Sequence, residues 1–384
     1  MLDAFDLDPA LVHLNHGSFG SVPRAVSEAQ AAIRARAEAN PMRFFRVDSP
    51  GLKEQARHVA AGSLGVGADE VALVRNVTQA AAVVLAGLAA HGRLGRGDVM
   101  VVGEQGYESV RRAVAHWSER TGASYVVVPH AVDADGAALV EAFRRAFAAV
   151  AERGERVALV IVDHITSPTG SVLPAADICA AAREVGALSF VDAAHVPGQL
   201  AATPDRLGAD FWSGTWHKWG FAPRGTSALW VAEGERATTE PLTTSWNHGL
   251  PFPWPFDTSG TDDFSGWFTL GAALDFWRDA GGPAIAERSV ELLDKGAAVI
   301  ASVLPEVAAE PPRTPAPCLR MVALPDGVAA TVDDADLLYE RLSGLGVEAQ
   351  VTPYGGRGWI RLSGAVYNVP SDYERLAEVL PTLL

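Results

Sequence analysis

Short apolar segments alternate with helical patterns through the middle of this chain, and this alternation restricts the fold more than any other feature. The segments 99–102, 124–128, 157–162, 188–191 and 227–231 are β-rich and apolar. Strands of this kind are covered on both faces, as in parallel sheets connected by helices. Helical patterns at 136–150 and 174–185 lie between them. The sequence therefore predicts an α/β fold with a mostly parallel, doubly wound sheet, in which ligands bind at the carboxyl ends of the strands.

The length of 384 residues predicts two domains, at roughly 100–200 residues per domain. A helix is expected over 21–40, with Ser21 as its cap. Residues 240–267 combine aromatic side chains with proline and glycine, which indicates an ordered loop, and a helix over 267–280 follows. We divide the chain into an N-terminal segment 1–20, a large domain 21–265 and a smaller α+β domain 266–384 that begins with the linking helix.

The charge balance excludes several classes of function. With 31 basic and 46 acidic residues the net charge is 31 − 46 = −15, which repels nucleic acid and anionic membranes. No signal-peptide pattern or membrane-spanning segment is visible, so a cytoplasmic location is expected. Cys179 and Cys318 are the only cysteines, and we expect both to be buried and reduced. No metal site is predicted, and no glycine-rich nucleotide turn follows a strand.

Lysine is rare in this chain, which gives each lysine separate meaning. Only Lys53, Lys218 and Lys295 occur among the 31 basic residues. Lys53 and Lys295 stand among charged neighbours and are predicted to lie on solvated helix faces. Lys218 stands in the aromatic segment 215–221, where large rings would desolvate its ammonium group and lower its pKa. Lys218 is therefore a candidate catalytic amine.

Three further polar features stand at predicted element ends. Asp192 closes an apolar strand, Asn76 to Thr78 precede an apolar helix, and 163–170 form a polar turn. Taken singly, Asp192 is as consistent with a cap as with catalysis, and Thr78 with a helix cap as with an anion site. Residues 163–170 taken alone indicate only a turn.

Together, these features resemble the class V aminotransferase group of fold type I enzymes, which use pyridoxal 5'-phosphate (PLP). The resemblance is to the isopenicillin N epimerase-like branch and covers nearly the whole chain. Its most specific element is Asp192 followed by His217-Lys218, and 14–20, 259–263 and 361–368 also match. The resemblance implies a mostly parallel seven-stranded sheet in the large domain, and PLP as cofactor.

The resemblance also implies how the cofactor is held. Lys218 would form the internal aldimine and Asp192 would pair with the ring nitrogen, which makes the ring an electron sink. Tyr107 would stack on the ring, and His195 or Ser167 would hydrogen-bond its phenolic oxygen. The phosphate would be bound by the residues that precede or begin a helix or flank the lysine, namely Val77, Thr78, Thr215 and His217.

Further implied contacts involve the substrate and a second subunit. Arg361 would clamp the α-carboxylate, a task suited to its two-pronged guanidinium group. Asn15, His16 and Trp246 are expected near the substrate. Thr261 would reach the phosphate of a second subunit, which implies a homodimer with sites at its interface.

The reaction itself stays open among three outcomes of Cα–H cleavage. β-Elimination, as in a C–S lyase, needs one base and a good leaving group. Epimerisation needs a second acid or base, for which Tyr107, His16 and the 246–248 loop are candidates. Transamination ranks behind both, and a ligand-sensing protein of this fold is the non-enzymatic alternative. A desulfurase is disfavoured because 346–358 contain no cysteine.

One hypothesis concerns the size of the substrate. Six large aromatic residues lie between 245 and 267, and this loop could accept a bulky or sulfur-linked side chain. The alternative is that these rings pack a dimer interface.

Overall fold

The computed structural model describes residues 1–201, 203–305 and 309–384. Within these residues the strands are β1 (Val12–His13), β2 (Val71–Val74), β3 (Asp98–Gly103), β4 (Ser124–Val128), β5 (Arg156–Asp163), β6 (Leu188–Ala193), β7 (Phe211–Thr215), β8 (Ser227–Val231), β9 (Leu319–Ala323), β10 (Val347–Glu348), β11 (Gln350–Tyr354) and β12 (Arg357–Ser363). The α-helices are α1 (His16–Phe19), α2 (Arg24–Ala39), α3 (Pro41–Arg43), α4 (Ser49–Leu64), α5 (Val77–Ala90), α6 (Glu108–Thr121), α7 (Gly136–Glu152), α8 (Ala175–Glu184), α9 (Ser265–Phe268), α10 (Leu270–Asp279), α11 (Ala284–Ser302), α12 (Val332–Gly344) and α13 (Pro370–Val379). A π-helical turn, Phe44–Asp48, joins α3 to α4. No described helix is both long and apolar enough to cross a bilayer.

A seven-stranded sheet forms the centre of the molecule, in the order β2-β8-β7-β6-β5-β3-β4. Strands β3 to β7 pair in parallel, whereas β8 is antiparallel to β2 and β7. This confirms the predicted mostly parallel sheet of an α/β fold. The strand order reverses between β3 and β5, and such a switch point opens a crevice at the carboxyl ends of the strands.

Alternating side chains of the sheet build two hydrophobic layers. Val99 and Val101 of β3 pack in a core with α4, α7 and α8, whereas Met100 and Val102 pack in a second core with α5 and α6. Successive side chains of a strand point to opposite faces, so helices must cover both faces of the sheet. The apolar strands seen in the sequence follow from this double coverage.

A smaller layer is built from the C-terminal part of the chain. Strands β9, β11 and β12 form an antiparallel three-stranded sheet in the order β11-β12-β9. Residues of α11, α12 and α13 pack with this sheet in a separate core. Strand β1 pairs with β10, so the N-terminal segment packs with this smaller part.

Two predicted helices differ in their bounds. Helix α2 begins at Arg24, because Pro23 is extended and its carbonyl accepts the first backbone bonds. The predicted helix over 267–280 is divided at Thr269 into α9 and α10. The Thr269 hydroxyl donates to the carbonyls of Ser265 and Gly266 at this break.

Candidate active site

A cavity of about 300 Å³ opens at the carboxyl ends of the central strands, within the size range of cofactor pockets. Strands β6 and β7 end at this cavity, and helix α5 begins there. The predicted residues that line it are Val77, Thr78, Tyr107, Ser167, Asp192, His195, Thr215, His217 and Lys218. The structure therefore brings together nine of the predicted site residues.

Lys218 presents its amine to this cavity from the turn after β7. Trp216 and Trp219, on either side, are buried in the core and hold this turn in place. The Lys218 Nζ lies 3.0 Å from Nε2 of His195. Burial, followed by the charge of Arg361, lowers the pKa of Lys218 to about 7. The amine is thus neutral, and nucleophilic, in a much larger fraction of molecules than an ordinary lysine.

Asp192 reaches the cavity from β6. Its Oδ1 accepts a 3.0 Å hydrogen bond from the backbone N–H of Ala194, whereas its buried Oδ2 has no partner within the described residues. Burial raises the pKa of Asp192 to about 6. A buried oxygen without a donor is costly, which indicates that a ligand donor belongs there.

Asp163 is a second carboxyl group of this cavity that the sequence analysis did not single out. It is the register partner of Asp192 on the neighbouring strand β5 and lines the same cavity. Burial, followed by the charge of Asp192, raises the pKa of Asp163 well above its usual range. The available signal was that each acid ends an apolar strand of a parallel sheet, which places the two side by side.

The opposite end of the cavity is suited to an anion. Helix α5 begins at Val77, where Asn76 caps the helix and the first backbone N–H groups are free of helical partners. The Thr215 hydroxyl hydrogen-bonds to Nδ1 of His217. Burial, followed by the charge of Lys218, lowers the pKa of His217 to about 4, so its ring is neutral.

Two arginines at this end were missed as site residues. Arg75 and Arg224 line the cavity beside Thr78 and His217. Arg75 forms an ion pair with Asp262, and Arg224 donates to the carbonyl of Gly20 at 3.2 Å. Arg224 follows a proline in a loop, where arginine is usually a surface charge, so the sequence contained no signal for it.

Arg361 is buried more deeply than an ordinary arginine. Together with Lys218 it lines a second, wider cleft that shares residues with this cavity. Its side chain is 3% exposed, and burial lowers its pKa to about 10. It donates to the Ser167 carbonyl, to Asn15 Oδ1 at 3.1 Å and to Ser18 Oγ at 3.0 Å. No carboxylate of the described residues pairs with it, and its Nε lacks a partner. A buried cation without a counter-ion favours an anionic ligand.

His16, which was expected near the substrate, forms two hydrogen bonds within the protein. Its Nε2 lies 2.9 Å from the carbonyl oxygen of Lys218, and its Nδ1 lies 3.1 Å from the hydroxyl of Tyr367. Burial lowers the pKa of His16 to about 4. Both ring nitrogens are therefore occupied, and His16 holds the backbone of the lysine turn.

The aromatic loop does not surround the cavity of its own chain. Phe252, Phe256, Phe264 and Trp267 are buried in the two cores of the central sheet, and Trp246 is 95% exposed. Four of the six rings therefore pack in the interior of the chain, and none of the six lines either cavity. A contact between Trp246 and substrate would require the cavity of a second subunit.

The wider cleft, about 870 Å³, has different walls. They include Tyr107, Arg111 and Arg112 near α6, and Thr352 and Tyr354 of β11. The Tyr354 hydroxyl donates to Glu104 Oε2 at 3.1 Å and to the His130 carbonyl at 2.7 Å, which connects the smaller sheet to the turn before Tyr107. Thr261 lies outside both cavities of its own chain, next to the Asp262 that pairs with Arg75.

Neither cysteine is a nucleophile. Cys179 and Cys318 are both free and buried, and burial raises the pKa of these thiols to about 11 and about 12. Reactive cysteines require a lowered pKa and access to solvent. The expectation of two buried, reduced thiols agrees with these positions.

The residues around the cavity fit PLP. The unpartnered Asp192 oxygen matches a protonated ring nitrogen, the neutral amine of Lys218 matches an aldehyde, and the helix start at Val77 matches a phosphate. No other arrangement of the described residues around this cavity provides these three features together. The fold and the site thus define a PLP-dependent enzyme of fold type I.

Comparison with known proteins leads from this class to a family. The family model "Aminotransferase class-V" matches residues 21–376. The chain is 32% identical to isopenicillin N epimerase of Streptomyces clavuligerus, with 98% of this chain and 96% of the relative covered. It is 27% identical to L-cysteine desulfhydrase of Arabidopsis thaliana, with coverage of 100% and 92%.

A solved structure shows the same fold at lower identity. The cysteine desulfurase of Thermococcus onnurineus NA1 superimposes with a TM-score of 0.78 at 18% identity, covering 99% of this chain and 96% of that one. The chain belongs to the class V aminotransferase family. Its cofactor is PLP, and it transforms an α-amino acid.

Proposed function

We propose that this protein catalyses β-elimination from an α-amino acid with a sulfur leaving group on its β-carbon. The observation that carries the proposal is the position of Arg361, which borders the same cleft as Lys218 and has no acidic partner among the described residues. A substrate carboxylate bound there sets the Cα–H bond beside the Lys218 amine. The names of two relatives, an epimerase and a cysteine desulfhydrase, agree with chemistry at Cα.

The cofactor end of the site is assigned from the geometry. Lys218 would hold the cofactor, and Asp192 would accept the ring N–H through its unpartnered Oδ2. His195, whose Nε2 lies 3.0 Å from Lys218 Nζ, and Ser167, which lines the same cavity, are the candidates to meet the phenolic oxygen. When bound, PLP withdraws electrons from Cα of the amino acid, which acidifies the Cα–H bond.

The phosphate end rests on neutral and cationic donors. The backbone N–H groups of Val77 and Thr78 at the start of α5 would bind phosphate oxygens, since a helix N-terminus favours an anion. The Thr215 and His217 side chains line the same cavity and add donors. Arg224 adds a positive charge at this end.

Lys218 then acts as the proton carrier. Its amine, with a pKa near 7, would take the Cα proton, and the sulfur would leave Cβ with the electrons of the C–S bond, as a thiolate or persulfide anion that takes up a proton from the Lys218 ammonium group. Hydrolysis of the released enamine gives pyruvate and ammonia. Arg361 holds the carboxylate throughout, and Asn15 orients Arg361 through its 3.1 Å hydrogen bond.

Epimerisation is the second candidate, supported by one observation. Of the three candidates for a second acid or base, His16 is sealed by two hydrogen bonds, and the exposed Trp246 marks a loop outside the cavities. Tyr107 lines both cavities, and its hydroxyl has no hydrogen-bond partner within the described residues. An epimerase would thus use Tyr107 opposite Lys218.

We also propose that the protein forms a homodimer whose sites lie at the interface. The support is a set of exposed large apolar residues on the 42–47 and 242–254 segments: Met42, Val47, Leu242, Trp246 and Leu250. Exposed apolar surface of this kind marks protein interfaces. Such an interface would bring Thr261 of one subunit towards the phosphate end of its partner.

Product analysis in deuterium oxide tests the reaction. The holo-protein is incubated with cystine, with an S-conjugated cysteine and with alanine, and the products are followed by NMR and mass spectrometry. We expect pyruvate, ammonia and a sulfur product from the first two. Deuterium at Cα with inversion, abolished by Tyr107→Phe, would show epimerisation instead, and a keto acid with aminated cofactor would show transamination.

A further inference from the structure

Trp219 forms a buried hydrogen bond with His195 that has no part in the proposed roles of the site residues. Its indole Nε1–H donates to Nδ1 of His195 at 3.4 Å, and both side chains are buried. The indole nitrogen can only donate, so Nδ1 of His195 must accept. The contact therefore carries information about the proton on the imidazole.

A neutral imidazole has one N–H, and an accepting Nδ1 leaves this proton on Nε2. Nε2 is the atom that faces the cavity, 3.0 Å from the Lys218 amine. Burial, followed by the charges of Lys218, Arg361 and His217, lowers the pKa of His195 well below its usual range, which keeps the ring neutral. His195 thus presents a donor to the cavity.

We propose that Trp219 is a positioning residue that fixes His195 in its Nε2–H tautomer, so that His195 donates to the phenolic oxygen of the cofactor. The inference rests on the proposed function for the identity of the acceptor. In the other tautomer Nε2 would present a lone pair to that oxygen, and the two acceptors would repel. Trp219 does not itself line the cavity, and besides packing beside the lysine turn it reaches the cofactor site through this hydrogen bond to His195.

The donated bond has a consequence for protonation at the lysine end. A donor to the phenolic oxygen stabilises its negative charge, and this charge is largest when the Lys218 nitrogen carries no proton. Loss of the donor therefore favours the form of the holo-protein in which the Lys218 nitrogen carries a proton. This form absorbs visible light, and it would persist to higher pH. The tautomer of His195 consequently sets the pH at which that form disappears.

The tautomer is measured first, by nitrogen NMR of protein labelled at histidine with ¹⁵N. Loss of signals in His195→Gln assigns the two nitrogens of His195. We expect a pyrrole-type shift at Nε2 and a pyridine-type shift at Nδ1, and exchange-averaged shifts in Trp219→Phe. Fixed Nδ1–H, or unchanged shifts in Trp219→Phe, would overturn the proposal.

Trp212→Phe is the matched control for this experiment. Trp212 is fully buried in the same core as Trp219, but its indole N–H has no partner within the described residues. The control removes a buried indole without removing a hydrogen bond to His195. Equal effects of Trp212→Phe and Trp219→Phe on the His195 shifts would show a packing effect and overturn the proposal.

A pH titration of the holo-protein's visible absorbance is the second measurement. We expect Trp219→Phe to move the midpoint upward by about one pH unit, the size expected for a lost hydrogen bond to a charged group. In His195→Gln, whose amide has no tautomers, Trp219→Phe should shift the midpoint little. A full shift in that background would overturn the proposal.

The two measurements separate the inference from the proposed function. The nitrogen shifts of His195 can be recorded with or without cofactor, so they test the tautomer alone. Absence of any visible band that borohydride bleaches would contradict the proposed role of Lys218 and leave the NMR result standing.

Discussion

Lys53 and Lys218, the two lysines whose pKa is lowered by burial, show what separates a reactive amine from a structural one. Lys53 of α4 is 8% exposed, and burial lowers its pKa as it lowers that of Lys218. Its Nζ, however, donates to the carbonyl of Asp257 and lies 3.6 Å from the centre of the Phe264 ring. The Lys218 amine instead faces a cavity and a neutral histidine.

The difference extends to the neighbours of each lysine. Beside Lys53, the guanidinium of Arg57 forms an ion pair with Asp257 and lies 4.5 Å from the centre of the Trp254 ring. Around Lys218, Asp192 and Arg361 each keep a polar atom without a partner among the described residues. Arg57 also keeps an unpartnered Nε, and a lowered pKa is common to both lysines, so neither feature alone distinguishes the site. The Lys218 amine differs because it faces a cavity in which a carboxylate oxygen, Oδ2 of Asp192, has no donor among the described residues.

Replacing each lysine by methionine should give the largest contrast. Lys218→Met removes the amine that holds the cofactor and moves the proton, so turnover should fall by at least about 10³-fold. Lys53→Met should leave turnover close to that of the unchanged protein, because Lys53 lines neither cavity. Steady-state release of pyruvate measures both.

Circular dichroism of the two variants provides the control for folding. Lys218→Met should keep the native spectrum, since methionine fills a similar volume and needs no hydrogen bond. Turnover retained in Lys218→Met, or lost in a folded Lys53→Met, would reverse the assignment of the two amines.

Removing the ion pair beside Lys53 should affect stability instead of turnover. The Arg57 side chain is 1% exposed, and Arg57→Met leaves the Asp257 carboxylate buried beside a single cation. Breaking a buried pair in this way should lower the free energy of unfolding by about 3 kcal/mol. Urea unfolding measures the change.

Arg375→Met is the matched control for this change. Arg375 pairs with Glu378 at 3.1 Å on the exposed surface of α13, where an ion pair contributes little to stability. Equal effects of the two substitutions would mean that the Arg57 cluster is not a buried structural contact.

The same lysines show how far the sequence predicts this molecule. The aromatic frame correctly indicated that Lys218 is desolvated, and the lysine is half-buried, but the acidic and polar neighbours of Lys53 predicted a solvated face, which is wrong. Those neighbours are close in sequence, whereas the groups that bury Lys53 are Asp257 and Phe264, some 200 residues away. Contacts over such separations leave no local pattern in a single sequence.

Some strands were predicted from the sequence and others were not. Apolar segments such as 157–162 predicted β5 within one or two residues, because burial on both faces makes the whole strand apolar. Strand β7 was missed because its central residues, Trp212 to Gly214, do not form an apolar run. Five strands and the sheet class followed from composition, whereas the strand order and the pairing of Asp163 with Asp192 required the fold.

Most roles of the site residues were predicted from family resemblance and not from local patterns in the sequence. Lys218 had a physical signal of its own, and Thr78 had a weaker one as a residue at a helix start, but Ser167 and Arg361 entered through family resemblance, because an isolated serine or arginine is usually structural. The structure places Thr78, Ser167 and Arg361 at the cavities. Arg224 had no signal, and Asp163, which ends an apolar strand, received no role until the geometry placed it beside Asp192.

The smallest predicted effect uses pH to compare the two amines in one molecule. The amine captures the cofactor aldehyde only when it is neutral, and burial lowers the pKa of Lys218 to about 7. Below that pH the neutral fraction, and with it the rate of capture by cofactor-free protein, should fall about tenfold per pH unit. Above about pH 8 the rate should be constant, whereas an ordinary lysine would give a rate that rises until about pH 10.

Stopped-flow absorbance with pyridoxal, which lacks a titrating phosphate, measures this profile. The neutral rings of His217 and His195 do not titrate in this range, but Asp192, with its pKa raised to about 6, does. Asp163 lines the same cavity, and burial raises its pKa well above its usual range, so both carboxyl groups must be removed. A midpoint near 7 that persists when Asp192 and Asp163 are both replaced by asparagine belongs to Lys218. Lys53→Met should give the same profile, because the Lys53 amine lies outside the cavity that admits the aldehyde. A rate of capture that still rises at pH 9 would mean that Lys218 is solvated like a surface lysine. The two amines would then differ only in their position relative to the cavity.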